Sequence, residues 1–193
     1  MWWPRLKSHY SCPMTTAVPA VRNAVRLWLE RYEAGDKVLV AVSGGADSLA
    51  LAYALAVEAK KLAITVIGVT VDHQLQNESA AQAERVMHQL SELEIICLIK
   101  KVTVDLKDGL EASARKARYE ALEKAAKEEN AVAVFLGHTK DDQAETVLLG
   151  LARGSGTRSL SGMAHHSGIY IRPLLEITRT QNEEFCNEVG LKF

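Results

Sequence analysis

A chain of 193 residues, 48% hydrophobic and 24% charged, has room for one well-packed domain plus a small appendage and shows an ordinary globular balance. The formal net charge of -1 argues against a whole-molecule electrostatic grip on nucleic acid and leaves only a local patch open. No apolar run approaches the roughly 20 residues needed to cross a membrane, so no membrane partner is expected.

Residues 1–17 read as a weakly ordered N-terminal extension. Trp2, Trp3 and several basic residues precede no long apolar stretch, which makes a poor signal peptide, and Met14 is an alternative start. One domain is expected over residues 18–193. Val21, Val25, Leu29 and Tyr32 at helical spacing predict a helix over Val18–Tyr32. Gly35 ends it and leads to Lys37–Val42, a β-branched run that reads as a buried strand. After Ser43-Gly44-Gly45-Ala46-Asp47-Ser48 a helix runs to about Glu58. A strand over Ile64–Val71 and a helix over Glu78–Leu93 follow, the helix with Ala83, Val86, Leu90 and Leu93 on one face. Next comes a strand over Ile95–Val102, in whose apolar run Cys97 reads as a buried core thiol. Leu110–Glu128 is predicted helical, with Leu110, Ala114, Ala117, Ala121 and Ala125 as its inner stripe.

A strand over Ala131–Leu136, a helix over Asp141–Ala152 and a Gly/Ser-rich loop over Gly154–Gly162 come next. Tyr170–Arg172 reads as a last short strand and Thr178–Val189 as a last helix. His165 and His166 fall in a loop without metal-ligand partners and read as solvated. The three cysteines, Cys12, Cys97 and Cys186, lie far apart and suggest neither a disulfide framework nor a zinc site, which fits a reducing, cytoplasmic setting. Strands alternating with helices in this way imply right-handed βαβ units. The expected fold is α/β: a doubly wound, mainly parallel five-stranded sheet with helices on both faces, Rossmann-like, with ligands at the carboxyl ends of the strands.

Two segments at those ends carry chemistry. In Ser43-Gly44-Gly45-Ala46-Asp47-Ser48 the glycines let backbone approach a phosphate, the helix N-terminus offers N–H groups, and Ser43 and Ser48 add hydroxyl donors. Asp47 is unusual in an anion site, and its expected task is to hold the Mg²⁺ that neutralises the phosphates. The competing reading is a tight strand-to-helix turn with Asp or Ser as N-cap. The segment is neither a G-K-[ST] loop nor a G-x-G-x-x-G turn. In Leu136-Gly137-His138-Thr139-Lys140-Asp141-Asp142-Gln143-Ala144-Glu145, Asp141 is placed to cap a helix. Asp142 and Glu145, at i and i+3, can share Mg²⁺ or a substrate ammonium group, and His138 at the strand end can contact nucleotide or substrate. A capped helix whose acidic residues favour the dipole is the alternative. Asp72-His73 either touches the nucleotide or closes its strand.

The first segment resembles the S-G-G-x-D-S signature of the PP-loop ATP pyrophosphatases, an adenine-nucleotide alpha-hydrolase type of fold, which implies ATP cleaved between its α and β phosphates. The second, with Arg153-Gly154-Ser155-Gly156, resembles the tRNA(Ile)-lysidine synthase family. Val71-Asp72-His73 with Glu78-Ser79-Ala80, Ala114-Arg115-Lys116-Ala117-Arg118-Tyr119, and Ile171-Arg172-Pro173-Leu174-Leu175 also resemble that family's segments, in its order. The resemblance covers roughly Lys37 to Leu191. It implies that the C2 oxygen of the wobble cytidine of tRNA(Ile), with CAU anticodon, is adenylated and that the amino group of L-lysine then displaces AMP. Carried over, Ser43, Gly44, Gly45, Ala46, Asp47, Ser48, Arg118 and His138 bind ATP, with Asp47 on Mg²⁺. Asp47, Asp142, Glu145 and Arg118 form the catalytic set, Asp142 and Glu145 holding lysine or metal and Arg118 neutralising phosphate. Arg115 is a weaker candidate, because Glu111 stands four residues before it and can pair with it.

The sequence departs from the family at Thr139, where a second histidine is usual, and at Phe193, beyond which the family continues into a tRNA-gripping helical region. Arg153, Arg158, Arg172 and Arg179 offer a modest basic surface that either meets tRNA phosphates or is ordinary solvated surface. The chain is therefore expected to bind ATP·Mg²⁺ and to modify tRNA poorly by itself, with a homodimer left open. A tRNA thiolase, a metabolite amide synthetase of the same superfamily and a truncated ATP-binding remnant are the competing readings.

Overall fold

The computed structural model describes residues 16–72, 79–102, 109–152 and 161–193. Helix α1 (Ala17–Leu29) leads into β1 (Lys37–Ala41), α2 (Ala46–Lys61), β2 (Thr65–Asp72), α3 (Ser79–Glu92) and β3 (Ile96–Lys101). Helix α4 (Leu110–Glu129), β4 (Ala133–Phe135), α5 (Lys140–Ala152), β5 (His166–Ser167), β6 (Tyr170–Ile171) and α6 (Arg179–Val189) complete the chain. The expected N-terminal extension, apart from Thr16 and Ala17, and the expected Gly154–Gly162 loop, apart from Ser161 and Gly162, lie outside the described residues.

The sheet order is β3-β2-β1-β4-β6-β5. Strand β1 pairs in parallel with β2, Val38 opposite Val66, and with β4, Val38 opposite Ala133. Crossovers run outward from β1 to β2 and β3, then return past β1 to β4, so the topological switch point lies between β1 and β4. That is where an open α/β sheet gathers its ligand. The sheet has six strands rather than the expected five. His166–Ser167 turns through Gly168, at φ +60°, and pairs antiparallel with Tyr170–Ile171. His166-Ser167 is polar as well as short, so no β-branched or aromatic run marks it as a strand, whereas Tyr170-Ile171 carries one.

The pleat sends successive β1 residues to opposite faces. Val38 and Val40 join one core with α1, α2, α6 and the Val86 and Leu90 positions of α3. Leu39 joins the other with Val134, Leu136 and the Leu122, Ala125 and Ala126 positions of α4. Val21, Val25 and Leu29 of α1 are fully buried as their spacing predicts, although the helix ends at Leu29, before Tyr32. Tyr32 instead packs edge-on against Phe135, 6.3 Å between ring centroids. On α4 the fully buried positions include Leu122 and Ala126 as well as Ala125, so the predicted alanine stripe was rotated slightly off the true one. Cys97 is half-buried rather than in the core, because β3 is the edge strand on its side of the sheet.

Helix α2 is sandwiched between α1, α6 and the sheet. Its alanines at 50, 52, 54 and 59 are buried, and side chains of that size let three neighbours approach closely. The one buried carboxylate there, Glu58, is paired with Arg22 and Lys61, each at 2.7 Å. Burial would raise its pKa, but hydrogen bonds from Lys61 and Arg22 hold it below the ordinary value. Helices α2, α3 and α4 end alike. Ala63, Glu94 and Asn130 take left-handed φ values of 54°, 58° and 55°. The next N–H (Ile64, Ile95, Ala131) returns to the carbonyl of Ala59, Leu90 and Ala126.

Candidate functional site

A cavity of about 650 Å³ opens at the carboxyl ends of β1, β2 and β4. Its size suits a small-molecule ligand. Ser43, Gly45, Asp47 and Ser48 line one side, Gly137, His138 and Asp142 a second, and Arg118 from α4 and Arg85 from α3 complete the walls. The two segments singled out from the sequence therefore meet in one place.

The loop between β1 and α2 is held by its own hydroxyls. Ser48 Oγ donates to the carbonyl of Gly45 at 2.9 Å, accepts from the Ser43 N–H at 3.2 Å and lies 3.3 Å from Ser43 Oγ. Gly44 sits at φ +91°, and a Cβ there would stand 2.3 Å from Gln82 Nε2. Gly45 is different. Its backbone is extended, and a Cβ would meet nothing nearer than 3.9 Å. The protein itself leaves space at Gly45, as a loop that must admit a ligand close to its backbone would. Gly45 is also the N-cap of α2, and no side chain caps that helix, so its first-turn N–H groups have no side-chain acceptor. The reading of this loop as a simple Asp- or Ser-capped turn loses its main support there.

Gly137 locks the second segment to the first. A Cβ on it would lie 3.1 Å from the carbonyl oxygen of Asp47 and 3.2 Å from Ser48 Cα, both backbone atoms that cannot swing aside. His138 follows. Burial first, then Arg172 and Arg118, push its pKa down to about 4, so the imidazole is neutral near pH 7. Its Nδ1 is buried without a hydrogen-bond partner. Arg118 is half-buried, and desolvation lowers its pKa without removing its charge.

The carboxylates are organised by α6. Asp47 Oδ1 accepts from Asn182 Nδ2 at 2.7 Å, and Asp47 Oδ2 lies 3.6 Å from Arg179 Nε. The same guanidinium reaches Asp142 Oδ1 at 3.4 Å. Desolvation raises the pKa of Asp47, opposed by Asn182 and Arg179. Asp142 Oδ2 accepts both the N–H and the hydroxyl of Thr139, at 2.7 and 2.9 Å. Asp47 and Asp142 thus share one cation, Arg179 of α6, which stands outside the cavity lining. Two carboxylates and nearby hydroxyls also form the sparse oxygen set that Mg²⁺ uses when substrate phosphates complete its shell. Among the described residues no cluster of three or more His, Cys, Asp or Glu side chains could hold a metal by itself.

A family description, the PP-loop domain, matches residues 19–193. The chain belongs to the PP-loop family. Curated relatives named tRNA(Ile)-lysidine synthase include one from Thermobifida fusca (strain YX), 52% identical over 176 residues, covering 91% of this chain and 54% of that protein. Another, from Streptomyces coelicolor, is 57% identical over 153 residues, covering 77% of this chain and 44% of that protein. The chain therefore spans about half the length of the curated relatives it matches. Among solved structures it is similar to a U34-tRNA thiolase from Methanococcus maripaludis, with a TM-score of 0.77 and 21% identity over 92% of this chain and 64% of that one. An NH3-dependent NAD synthetase from Campylobacter jejuni follows, with a TM-score of 0.60 and 15% identity over 91% of this chain and 73% of that one. At those identities the likeness concerns the fold: the mainly parallel doubly wound sheet read from the sequence is the PP-loop architecture.

Within this PP-loop domain the residues expected to act together are only partly together. Ser43, Gly45, Asp47, Ser48, Arg118, His138 and Asp142 line the cavity, whereas Gly44 and Ala46 stand behind the lining, and Ala46 accepts from the buried Cys186 thiol at 3.5 Å. Glu145 is exposed and outside the lining, because it lies one turn further along α5. Asp141 does not cap α5. Thr139 does, with Asp142 reaching back, while Asp141 Oδ2 accepts the Arg179 N–H at 2.8 Å. Arg115 lies over the Tyr119 ring, 5.2 Å from its centroid, and outside the lining.

Of the four arginines read as a modest basic surface, the two among the described residues are engaged within the protein. Arg172 is buried, with Nη1 on the Ala164 carbonyl at 2.9 Å, and Arg179 is held by carboxylates. Arg153, Arg158, His73 and the Glu111 side chain lie outside the described residues. His165 and His166 pack near Trp28, each 6.2 Å between ring centroids, so the pair is not simply solvated. Asn182, Thr139 and Gln82 were missed. Only Thr139 had a local signal, its spacing of three residues to Asp142.

Proposed function

We propose that this PP-loop domain binds ATP with Mg²⁺ and is the catalytic part of a cytoplasmic tRNA(Ile)-lysidine synthase. The observation that carries the reading is the uncapped N-terminus of α2 opening, through Gly45, into the cavity where Asp47 and Asp142 converge. The identity to curated lysidine synthases supports the choice of reaction.

In this reading Ser43, Gly45 and Ser48 receive the phosphates through N–H and hydroxyl groups, with Gly44 and Ala46 shaping the loop behind them. The apolar wall of Ala41, Val69 and Val71 takes the base. Asp47 holds Mg²⁺, whose positive charge stabilises the departing pyrophosphate when bound. Arg118 neutralises phosphate charge, and neutral His138 offers a hydrogen bond without adding charge. The C2 oxygen of the wobble cytidine of tRNA(Ile), anticodon CAU, forms a bond to the α-phosphorus while the bond to the β-phosphate oxygen breaks. The amino group of L-lysine then attacks C2, the C2–O bond breaks, AMP leaves with the electron pair, and the attacking nitrogen gives up a proton. Asp142 holds the lysine ammonium group or metal, with Glu145 one turn further along α5. The sulfur-transfer alternative gains nothing from the site: among the described residues only Cys97 and Cys186 are present, and neither lines the cavity.

The test is calorimetry of ATP with Mg²⁺, followed by AMP release with a tRNA(Ile) transcript and lysine. Micromolar binding should weaken at least about tenfold in Asp47→Ala, a loss of roughly 1.4 kcal/mol. Asp142→Ala should weaken it less and depress lysine-dependent AMP release more. Absence of binding in the unaltered chain would sink the reading.

A further inference from the structure

Helix α3 closes over the phosphate loop from the face opposite α4. Gln82 Nε2 donates to the carbonyl of Ser43 at 3.1 Å, and Gly44 must lack a side chain because this amide and Val86 Cγ2 occupy the space. The other end of the same amide is also engaged. Gln82 Oε1 accepts from Arg85 Nε at 3.1 Å and from Arg85 Nη2. The residue that grips the loop therefore orients Arg85, whose side chain lines the cavity on the same side as Ser43 and Gly45.

Arg85 is exposed and has no carboxylate partner among the described residues. Arg179, another cation near the loop, is taken up by Asp47 and Asp142. A guanidinium carries five N–H donors in a planar fork. Gln82 engages two, which leaves three for another acceptor. A fixed guanidinium without an acidic partner, beside an uncapped helix N-terminus, is matched to phosphate oxygens in charge and in geometry.

We propose that Arg85 binds the phosphate tail of the nucleotide, with Gln82 as its positioning residue. The inference rests on the reading of Ser43–Ser48 as a phosphate loop. Arg118 from α4 and Arg85 from α3 then flank the tail from the two faces of the sheet. Arg85 supplies fixed positive charge to the leaving pyrophosphate as negative charge develops on it.

Calorimetry of the whole chain with pyrophosphate and with ATP, each with Mg²⁺, tests this on the unaltered protein, Arg85→Met, Arg85→Lys and Gln82→Met. Arg85→Met should weaken both ligands about tenfold, the size expected for one charge-assisted hydrogen bond. Its thermal midpoint should stay in place, because methionine is as good a helix former as arginine. Arg85→Lys should recover part of the loss, keeping the charge without the fork, and Gln82→Met should weaken both ligands by a smaller factor. Arg85→Met binding both ligands as tightly as the unaltered chain would overturn the proposal. So would a loss confined to ATP, which would put Arg85 on the base or ribose. Failure of the unaltered chain to bind either ligand would instead remove the phosphate-loop reading beneath it.

Discussion

Two helices begin side by side at the switch point, α2 after β1 and α5 after β4, and each places a first-turn aspartate on the cavity. They are held by different forces. Leu49, Leu51 and Leu55 of α2 are wholly buried among α1, α6 and the sheet. No residue of α5 is buried, and Leu148, Leu149 and Leu151 are 64%, 47% and 53% exposed. Polar contacts near its N-terminus tether α5 instead: Thr139 with Asp142, Asp141 with the Arg179 N–H, and Gln143 with Met163. The phosphate-loop wall is fixed by packing, and the second wall by hydrogen bonds to α6 and the 161–163 segment. Asp47 is thus the more firmly placed of the two carboxylates.

The largest expected effect separates the two walls directly. Leu51→Ala should cost about 2–5 kcal/mol in urea unfolding, the range for a buried leucine cut back to alanine. Leu149→Ala on α5 should stay within about 0.5 kcal/mol, as for an exposed site. Similar costs at the two positions would mean that α5 is packed as deeply as α2, and the contrast would be void.

The next effect is confined to the second wall and depends on pH. His138 is pushed down to about 4, first by burial and then by Arg172 and Arg118. An unfolded histidine takes up its proton near 6.5. Between those values the unfolded chain binds more protons than the folded one. The contribution of neutral His138 is therefore complete above pH 6.5 and is lost as the pH falls through 4. His138→Gln should remove that part of the acid sensitivity, up to about 3 kcal/mol at pH 4 and none at pH 8. An imidazole that titrates near 6.5 in the folded protein by NMR would show that the cavity does not desolvate it.

The same contrast explains what could be read from the sequence. The α1 stripe of Val21, Val25 and Leu29, the β-branched run of β1 and the glycine at 44 are local, so spacing and residue type announce them. The bond from Asn182 to Asp47 spans 135 positions of the chain, and no periodicity marks such a partner. Arg179 looked like open basic surface because its two carboxylates are distant in sequence. The ends of α2, α3 and α4 carry Ala63, Glu94 and Asn130 at positive φ, where sequence rules look first for glycine. Asp141 and Asp142 are adjacent and chemically alike, and only the observed start of α5 at Lys140 decides which one closes its own helix and which one serves α6.

The smallest effect concerns that closure. Thr139 is fully buried, and its hydroxyl and N–H both serve Asp142. Thr139→Val keeps the volume and removes only the hydroxyl, leaving the Thr139 N–H at 2.7 Å and Arg179 Nη2 at 3.4 Å to hold the carboxylate. The loss of stability should be about 1 kcal/mol, the usual worth of a helix cap, and Thr139→Ser should restore it. Because Asp142 also meets Arg179, loosening it should weaken lysine-dependent AMP release more than ATP binding, whose main carboxylate sits on α2. A Thr139→Val protein with unchanged stability and unchanged AMP release would mean that Asp141 and Gln143 anchor α5 without the cap. The second wall would then be as firmly set as the first, by two tethers, Asp141 to α6 and Gln143 to Met163, in place of a core.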